Sequence, residues 1–232
     1  MQVKHLLSHT SGLEDYYKLR TATPGYTNAD VLAALALQKK PLDKPGKKFH
    51  YANTNYVLLA EIIAQVTKKT FQDFLRENVF QPAGMQQTLF RSELAAQQNT
   101  VVALGSDGKP FEYPFLTTGP GGVYSTLDDV LQFDRALFAG KLVKPGMLAQ
   151  MVAAQAHVDE RKIDYGHGFY TLPERKIAYH DGNFNGYHTM NWLNLGEQTA
   201  VILLANRPTK RIKEITYEID RILNGLSATP LR

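Results

Sequence analysis

The hydrophobic pattern changes near residue 160, and this change limits the folds that are open to the chain. Beyond that point, apolar segments separated by Gly, Asn and Glu turns lie at 169–172, 177–180, 187–193 and 199–205. Such closely spaced segments predict successive antiparallel strands. A last helix is predicted near 210–223, because its isoleucines recur on one helical face. The two patterns together predict a sheet covered by a carboxy-terminal helix.

Residues 1–160 have mainly helical periodicity. Thr27-Asn28-Ala29-Asp30 is a capping-box pattern that predicts the start of an apolar helix, and Thr70 and Ser125 begin similar patterns. A further helix is predicted to follow 51–55, with a buried stripe formed by Leu59, Ile62, Ile63 and Val66. We therefore predict an α+β fold in a single domain over 1–232, with a helical region at 1–160 and the sheet and last helix at 161–232.

Composition excludes several classes of function. The chain has no cysteine, so disulfides, thiolate metal sites and a cysteine nucleophile are excluded. The formal charge of +4 is spread over small groups of Lys and Arg next to turns and helix ends, which argues against a nucleic-acid partner. No apolar run approaches the ~18 residues of a membrane span, and the residues from Met1 to His9 contain no signal-peptide core.

The strongest chemical pattern lies between Pro45 and Leu59, where Tyr51 and Asn53 precede an apolar helix. A Tyr and an Asn at this spacing can direct a phenol and an amide into one cavity. In an acyl-transfer site, the phenolate can take a proton from a serine and the amide can hold a substrate carbonyl. The Y-x-N pattern alone is weak and is more typical of a structural role.

Several segments resemble the class C β-lactamase-like family, which includes D-alanyl-D-alanine carboxypeptidases and penicillin-binding proteins. Residues 5–13 read HLLSHTSGL and resemble its HLLTHTSGL segment. Residues 45–59 resemble its second motif region, 121–129 its GGLxSTxxD segment, 179–187 its third motif and 201–206 its last strand. These matches follow the family order, so the resemblance implies a β-lactamase/transpeptidase-like fold.

The resemblance implies roles for particular residues. Tyr51 would be the general base and later the acid for the leaving group, and Asn53 would contact the substrate amide. His180 stands where many members have the Lys of a K-T-G triplet. A cation or donor there can lower the pKa of the tyrosine or bind a substrate carboxylate.

The residues after His180 would line the substrate. Asp181 replaces the Thr of the triplet, and a second anion there would repel a substrate carboxylate. Gly182 would let the substrate approach the strand edge closely. The backbone N–H of Asn183 would be one oxyanion-hole donor, and the amide of the serine nucleophile would be the other.

The expected serine nucleophile belongs in an S-x-x-K motif at a helix start, upstream of the HLLTHTSGL segment. The chain contains only Ser106-Asp107-Gly108-Lys109, which is predicted to lie in a hairpin turn. We therefore expect that the amino-terminal strands and the S-x-x-K helix are missing and that this chain is inactive alone. Without those strands, the apolar segment from Val201 to Ala205 would be an exposed edge and would promote self-association.

Several alternatives stay open. The parent chemistry is acyl transfer from a β-lactam, a D-alanyl peptide or a small ester, without cofactor or metal. A non-catalytic binding or scaffold homologue is the other functional class, and a fragment that needs a complementing amino-terminal piece is a third possibility. His5 and His9 could present two imidazoles to a metal, but Leu6 stands where H-E-x-x-H needs Glu, which favours a structural role. The resemblance implies a periplasmic or extracytoplasmic location.

Overall fold

The computed structural model describes residues 1–19, 25–38, 40–94, 96–97, 100–111, 115–159, 162–184 and 186–227. The α-helices are α1 (Val3–Leu7), α2 (Tyr16–Leu19), α3 (Asn28–Ala36), α4 (Thr54–Thr67), α5 (Phe71–Leu75), α6 (Gln81–Ala83), α7 (Arg91–Leu94), α8 (Leu127–Phe138), α9 (Pro145–Val152) and α10 (Ile212–Leu223). A π-helical turn, Arg76–Phe80, joins α5 to α6, and a 3-10 turn spans Pro173–Arg175. The strands are β1 (Leu89–Phe90), β2 (Val123–Tyr124), β3 (Ala156–Val158), β4 (Ile163–Tyr165), β5 (Tyr170–Leu172), β6 (Ile177–Phe184), β7 (Tyr187–Asn194) and β8 (Thr199–Ala205).

The main sheet is an antiparallel meander in the order β3-β4-β5-β6-β7-β8. The predicted strands are present, and the sequence pattern missed β3 and β4, which are short. The pattern also ended β6 too early, because Asp-Gly-Asn is typical of a turn. In the structure Gly182 pairs with Thr189, and a Cβ on Gly182 would lie 2.6 Å from Thr189 Oγ1. Because Gly182 has no Cβ, there is room for this hydroxyl, and the strand continues to Phe184.

Helix α10 covers one face of the sheet, as predicted. Trp192 is buried there, and its indole Nε1 donates to Asp220 of α10 at 3.1 Å. Arg175 also pairs with Asp220 and lies over the Trp192 ring. The core on this face contains Ile177, Tyr179, Trp192, Val201 and Ile212. The hydrogen bond and the ion pair to Asp220 therefore link the helix to the sheet.

Helix α8 lies against the sheet on the side of Asn191. Asn191 Nδ2 donates to the buried Asp134 of α8 at 2.8 Å. Burial raises the pKa of Asp134 to about 6, and the Asn191 hydrogen bond only partly offsets that effect. Asp134 Oδ2 and Asn191 Oδ1 are both buried without a hydrogen-bond partner. This contact therefore places a poorly solvated carboxyl between α8 and β7.

The helical region has its own core of aromatic and aliphatic residues. The predicted capping box of α3 is present, with Thr27 Oγ1 accepting from the Asp30 N–H. The predicted stripe on α4 is wrong, because Ile62 is 38% and Val66 77% exposed. Burial is instead concentrated in the first two turns of α4, at Thr54, Asn55, Val57 and Ala60. The buried core here consists of Tyr16, Tyr26, Val31, Val57 and Phe115.

Strand β8 forms one edge of the main sheet. Strand β8 pairs with β7 on one side, and no strand among the described residues pairs with its other side. His9 lies beyond the end of α1 at a φ of 53°, so His5 and His9 do not share a helical face.

None of the helices in the described parts of the chain has both the length and the apolar character needed to cross a membrane.

Candidate active site

Tyr51 lies in the segment just ahead of α4 and is 40% exposed. Its ring stacks on His9, with ring centroids 4.1 Å apart and ring planes 29° apart. The centroid of the His180 ring, from β6, lies 6.3 Å from that of Tyr51. Tyr51 and His180 are far apart in the sequence and were predicted to share a site. The fold brings them together.

A buried polar network lies behind Tyr51. His9 Nδ1 accepts from the Ala52 N–H at 3.2 Å and from Asn55 Nδ2 at 3.1 Å. Ser11 Oγ donates to Asn55 Oδ1 at 2.5 Å. Burial, together with the neighbouring His180, lowers the pKa of His9 to about 3. His9 is therefore neutral at physiological pH, with its proton on Nε2, and its Nδ1 holds the segment that carries Tyr51.

Asn53 is fixed by an acidic neighbour. Its backbone N–H donates to Asp15 Oδ2 at 2.8 Å, and its side-chain Nδ2 donates to the same oxygen at 2.9 Å. One of the two amide N–H bonds of Asn53 is therefore committed to Asp15. This contact fixes the direction of the side chain at the start of α4.

His180 has a hydrogen-bond partner at each ring nitrogen. Nδ1 lies 2.8 Å from the Asp181 carbonyl oxygen, and Nε2 lies 3.3 Å from the hydroxyl of Tyr165. A carbonyl oxygen only accepts, so Nδ1 carries a proton. The ring of Tyr170 lies 5.5 Å away on β5, between centroids. These contacts fix the imidazole beside Tyr51.

Strand β6 presents an open edge next to this pair. Its partner β5 pairs with 177–179 only, while β7 pairs with the whole of β6. No strand among the described residues pairs with the other side of 180–184, where Gly182 and the exposed Asn183 lie.

The Asp181 carboxylate lies 3.3 Å from Lys213 Nζ of α10. Its charge is therefore balanced by a lysine on the covered face of the sheet.

A cavity of about 260 Å³ opens beside Tyr51. Its wall includes Phe49, Asp15 and Lys18, so it combines an aromatic face with charges of both signs. Tyr51 therefore lines this cavity, and its ring also lies near His180 of β6.

The family model described as Beta-lactamase matches residues 1–223. The chain belongs to the beta-lactamase family. It is 27% identical over 250 residues to penicillin-binding protein 4* of Bacillus subtilis (strain 168), covering 96% of this chain and 55% of that protein. It is 25% identical over 215 residues to a D-aminopeptidase of Cereibacter sphaeroides (strain ATCC 17029 / ATH 2.4.9), covering 88% of this chain and 42% of the relative.

Solved structures support the same fold within the beta-lactamase family. The octameric penicillin-binding protein homologue from Pyrococcus abyssi superposes with a TM-score of 0.87 at 23% identity. That match covers 96% of this chain and 55% of the other chain. The chain thus spans about half the length of the relatives that it matches. Its α+β fold is of the β-lactamase/transpeptidase type, as predicted.

Family resemblance identified only part of this candidate site. It indicated Tyr51 and His180, but His9, Asn55 and Tyr165 were missed as neighbours of the site. His9 of the H-T-S-G segment was interpreted as structural in preference to a metal ligand, and was not placed beside Tyr51. Tyr165 lies in a three-residue strand that was not predicted. Ser106 lies in the expected turn, with the Gly105 N–H donating to the Lys109 carbonyl at 2.8 Å. Residues 112–114, within the predicted hairpin region, lie outside the described residues.

Proposed function

We propose that the described residues form the proton-transfer and substrate-binding side of a serine acyl-transfer site. The observation that carries this proposal is the close approach of Tyr51 and His180 beside the open edge of β6. The substrate class is a β-lactam, a D-alanyl or other D-amino-acid amide, or a small ester. No cofactor or metal is part of the proposed reaction.

In this proposal Tyr51 takes the proton from the serine hydroxyl as it attacks the substrate carbonyl, and later gives that proton to the leaving group. His180 stabilises the phenolate form of Tyr51 by its charge or its donor. Asn53 contacts the substrate amide. Gly182 permits a close approach to β6, and the Asn183 N–H contributes to the oxyanion hole.

The nucleophile is proposed to come from an S-x-x-K helix outside the 232 residues, so this chain alone would not form an acyl-enzyme. Its S-x-x-K sequence at Ser106 lies in a turn rather than at a helix start. A turn does not give the serine the lysine neighbour that activates it at a helix start.

The D-aminopeptidase relative supports a D-configured amide among the substrate classes.

The proposal is tested on the complete product of the gene, with fluorescent penicillin as the acylating probe and D-alanine p-nitroanilide as the substrate. We expect Tyr51→Phe to slow acylation by about 10²- to 10⁴-fold, which is the usual contribution of a general base. Tyr217→Phe is the matched control, because Tyr217 is also 40% exposed but lies on α10. An unchanged acylation rate in Tyr51→Phe would remove Tyr51 as the base.

Non-catalytic binding is the second candidate function, and the absence of S-x-x-K from any helix start in the sequence favours it. This function predicts that the 232-residue chain binds D-alanyl-D-alanine peptides reversibly, with similar affinity in Tyr51→Phe. It also predicts no covalent penicillin adduct on the complete gene product. A penicillin adduct on a serine would contradict the binding function.

We also propose self-association through the free edge of β8, near Val201 to Ala205. The Pyrococcus abyssi homologue is described as octameric, which supports association within this fold. Light scattering of the 232-residue chain should give a mass that rises with concentration. Leu204→Lys, at a residue that is 40% exposed on β8, should lower that mass, whereas Leu223→Lys on α10 should not. A strictly monomeric chain at high concentration would exclude this association.

Family membership supports an extracytoplasmic location as a further proposal. The cysteine-free composition is compatible with an oxidising compartment. Fractionation of cells that produce the tagged gene product should find it outside the cytoplasm. Recovery only with a cytoplasmic marker enzyme would contradict this location.

A further inference from the structure

Asp15 lies outside the motifs that the sequence suggested, yet it contacts the Y-x-N segment directly. It precedes α2 and lines the cavity beside Tyr51. Its two carboxyl oxygens have separate tasks. Oδ1 accepts from the Tyr17 N–H at 2.9 Å, and Oδ2 accepts from the Asn53 N–H at 2.8 Å. One carboxylate therefore joins the start of α2 to the start of α4.

These contacts determine which way round the side-chain amide of Asn53 lies. A backbone N–H can only donate, so each oxygen of Asp15 is held as an acceptor. The Asn53 atom that lies 2.9 Å from Oδ2 must then be the donor Nδ2, because Oδ1 in its place would set two acceptors against each other. The Asn53 carbonyl oxygen Oδ1 lies on the other branch of the amide. It makes no hydrogen bond within the part of the chain that the structure describes.

The Asn53 side chain also departs from the usual role of asparagine at a helix start. Asn53 is the N-cap of α4, where the side-chain oxygen of an asparagine ordinarily accepts from a backbone N–H two or three residues ahead. No such bond is present at Asn53. Its Nδ2 is directed to Asp15 instead. A residue that gives up a favourable local contact in this way is typical of a functional site.

We propose that Asp15 is a positioning residue that turns the Asn53 amide away from α4, so that Oδ1 and the remaining N–H meet the substrate. The inference rests on the substrate contact proposed above for Asn53. An acceptor in this position fits a substrate with an N–H donor beside the scissile bond, such as a D-amino-acid amide or an acylamino β-lactam. A simple ester has no such donor. Asp15 thus favours amides over esters among the proposed substrates.

Neighbouring contacts fix the position of Asp15 itself. The Lys18 N–H donates to the Asp15 carbonyl at 2.9 Å in the first turn of α2. Thr54 Oγ1 donates to the Glu14 carbonyl at 2.8 Å, so a second bond joins the two segments next to Asn53. Tyr16, the next residue in the chain, is fully buried. The carboxylate is therefore held in place for Asn53 before any substrate arrives.

The first test is ¹H–¹⁵N NMR of the Asn53 side-chain amide in the 232-residue chain, without substrate. In the unmodified chain we expect one of the two Nδ2 protons to be shifted downfield by its bond to the carboxylate. Asp15→Asn should abolish that shift, because an amide has one acceptor oxygen and cannot serve both Tyr17 and Asn53.

Glu14→Gln is the matched control for the NMR test. Glu14 is the adjacent acid on the wall of the same cavity, and its side chain bonds to Lys18 and to the Asp15 N–H. Gln removes the charge but keeps an acceptor for that N–H. The downfield Asn53 signal should therefore stay unchanged in Glu14→Gln.

The second test compares an amide with an ester on the complete product of the gene. Asp15→Asn should lower the ratio of kcat/KM for D-alanine p-nitroanilide to that for p-nitrophenyl acetate about tenfold, which corresponds to one hydrogen bond to the substrate. The loss with the anilide should include a higher KM, since the contact is already made in the bound ground state.

The outcomes separate this inference from the proposed function. Solvent-like shifts for both Asn53 Nδ2 protons in the unmodified chain would overturn the positioning by Asp15, even if no variant folds. An equal loss of kcat/KM with both substrates would contradict the preference for amides and would indicate general damage to the fold. If the complete gene product hydrolyses neither substrate, the proposed function fails, whereas the Asn53 signal still decides whether Asp15 holds this amide.

Discussion

The imidazole of His9 stacks on the phenol ring of Tyr51 at 4.1 Å, and its Nδ1 accepts from the Ala52 N–H next to that tyrosine. One side chain therefore holds both the ring of Tyr51 and the backbone that follows it. His9 has a left-handed backbone, with a φ of 53°, which directs its side chain to the start of α4 rather than along α1. The geometry of Tyr51 thus depends on a residue outside the Y-x-N pattern.

Replacement of His9 should separate its aromatic contact from its hydrogen bonds. His9→Phe keeps a ring but leaves the Ala52 N–H and Asn55 Nδ2 without their acceptor, and should cost about 1 to 3 kcal/mol of unfolding free energy. His9→Asn is the matched control, because Asn tolerates a positive φ and has a side-chain acceptor. Urea unfolding should show the larger loss in His9→Phe. Equal stability of His9→Phe and the unmodified chain would contradict this account.

The buried His9 should also make the protein sensitive to acid. The unfolded chain takes up a proton on this residue near pH 6.5, whereas the folded chain does so only near pH 3. Stability from His9 is therefore present above pH 6.5 and is lost as pH falls towards 3, by up to ~1.4 kcal/mol per pH unit. Urea midpoints between pH 7 and 4 should fall more steeply in the unmodified chain than in His9→Asn. Parallel pH profiles would rule out His9 as the source.

Asp134 should have the opposite dependence on pH. Its folded pKa is raised to about 6, so it binds its proton more tightly in the folded state, and the stability this gives is lost as pH rises from about 4 to 6. Asp134→Asn removes a buried charge and offers a donor near the unpartnered Asn191 Oδ1. We expect a gain of about 1 to 3 kcal/mol in unfolding free energy at pH 8.

The control for Asp134→Asn is the same unfolding measurement at low pH. At about pH 4 the carboxyl is protonated in the folded state, so most of the gain should disappear. Asp73→Asn, on the exposed first turn of α5, should change stability much less at either pH. A gain that is the same at pH 4 and pH 8 would mean that ionisation of Asp134 is not its cause.

Periodic and capping signals in the sequence predicted most of the regular structure. Thr27 and Asp30 mark the start of α3, and β8 has the predicted bounds. Helix α4 was predicted as an element, but its buried face was not, because apolar spacing does not reveal which turns have a partner. Val66 is apolar and yet 77% exposed, whereas the polar Asn55 is fully buried in the network of His9.

Only those residues of the candidate site that lie in recognisable sequence motifs were predictable. Tyr51 and His180 stand in recognisable segments, so their meeting could be inferred from family order. The place of Tyr165 could not be inferred, since its contact with His180 joins two separate strands. Gly182 was interpreted as permitting substrate approach, but the structure adds a second constraint, the hydroxyl of Thr189.

Gly182→Ala should show how far that second constraint fixes the edge of β6. The new Cβ would lie 2.6 Å from Thr189 Oγ1, so Thr189 or β6 must shift, at a cost of about 1 to 3 kcal/mol. Thr189→Ala removes the hydroxyl, and the double variant should recover at least about 1 kcal/mol relative to the sum of the single losses. Urea unfolding of the full cycle measures this coupling. Strictly additive losses would mean that the two side chains do not compete for space, and that the glycine is required at this position for another reason.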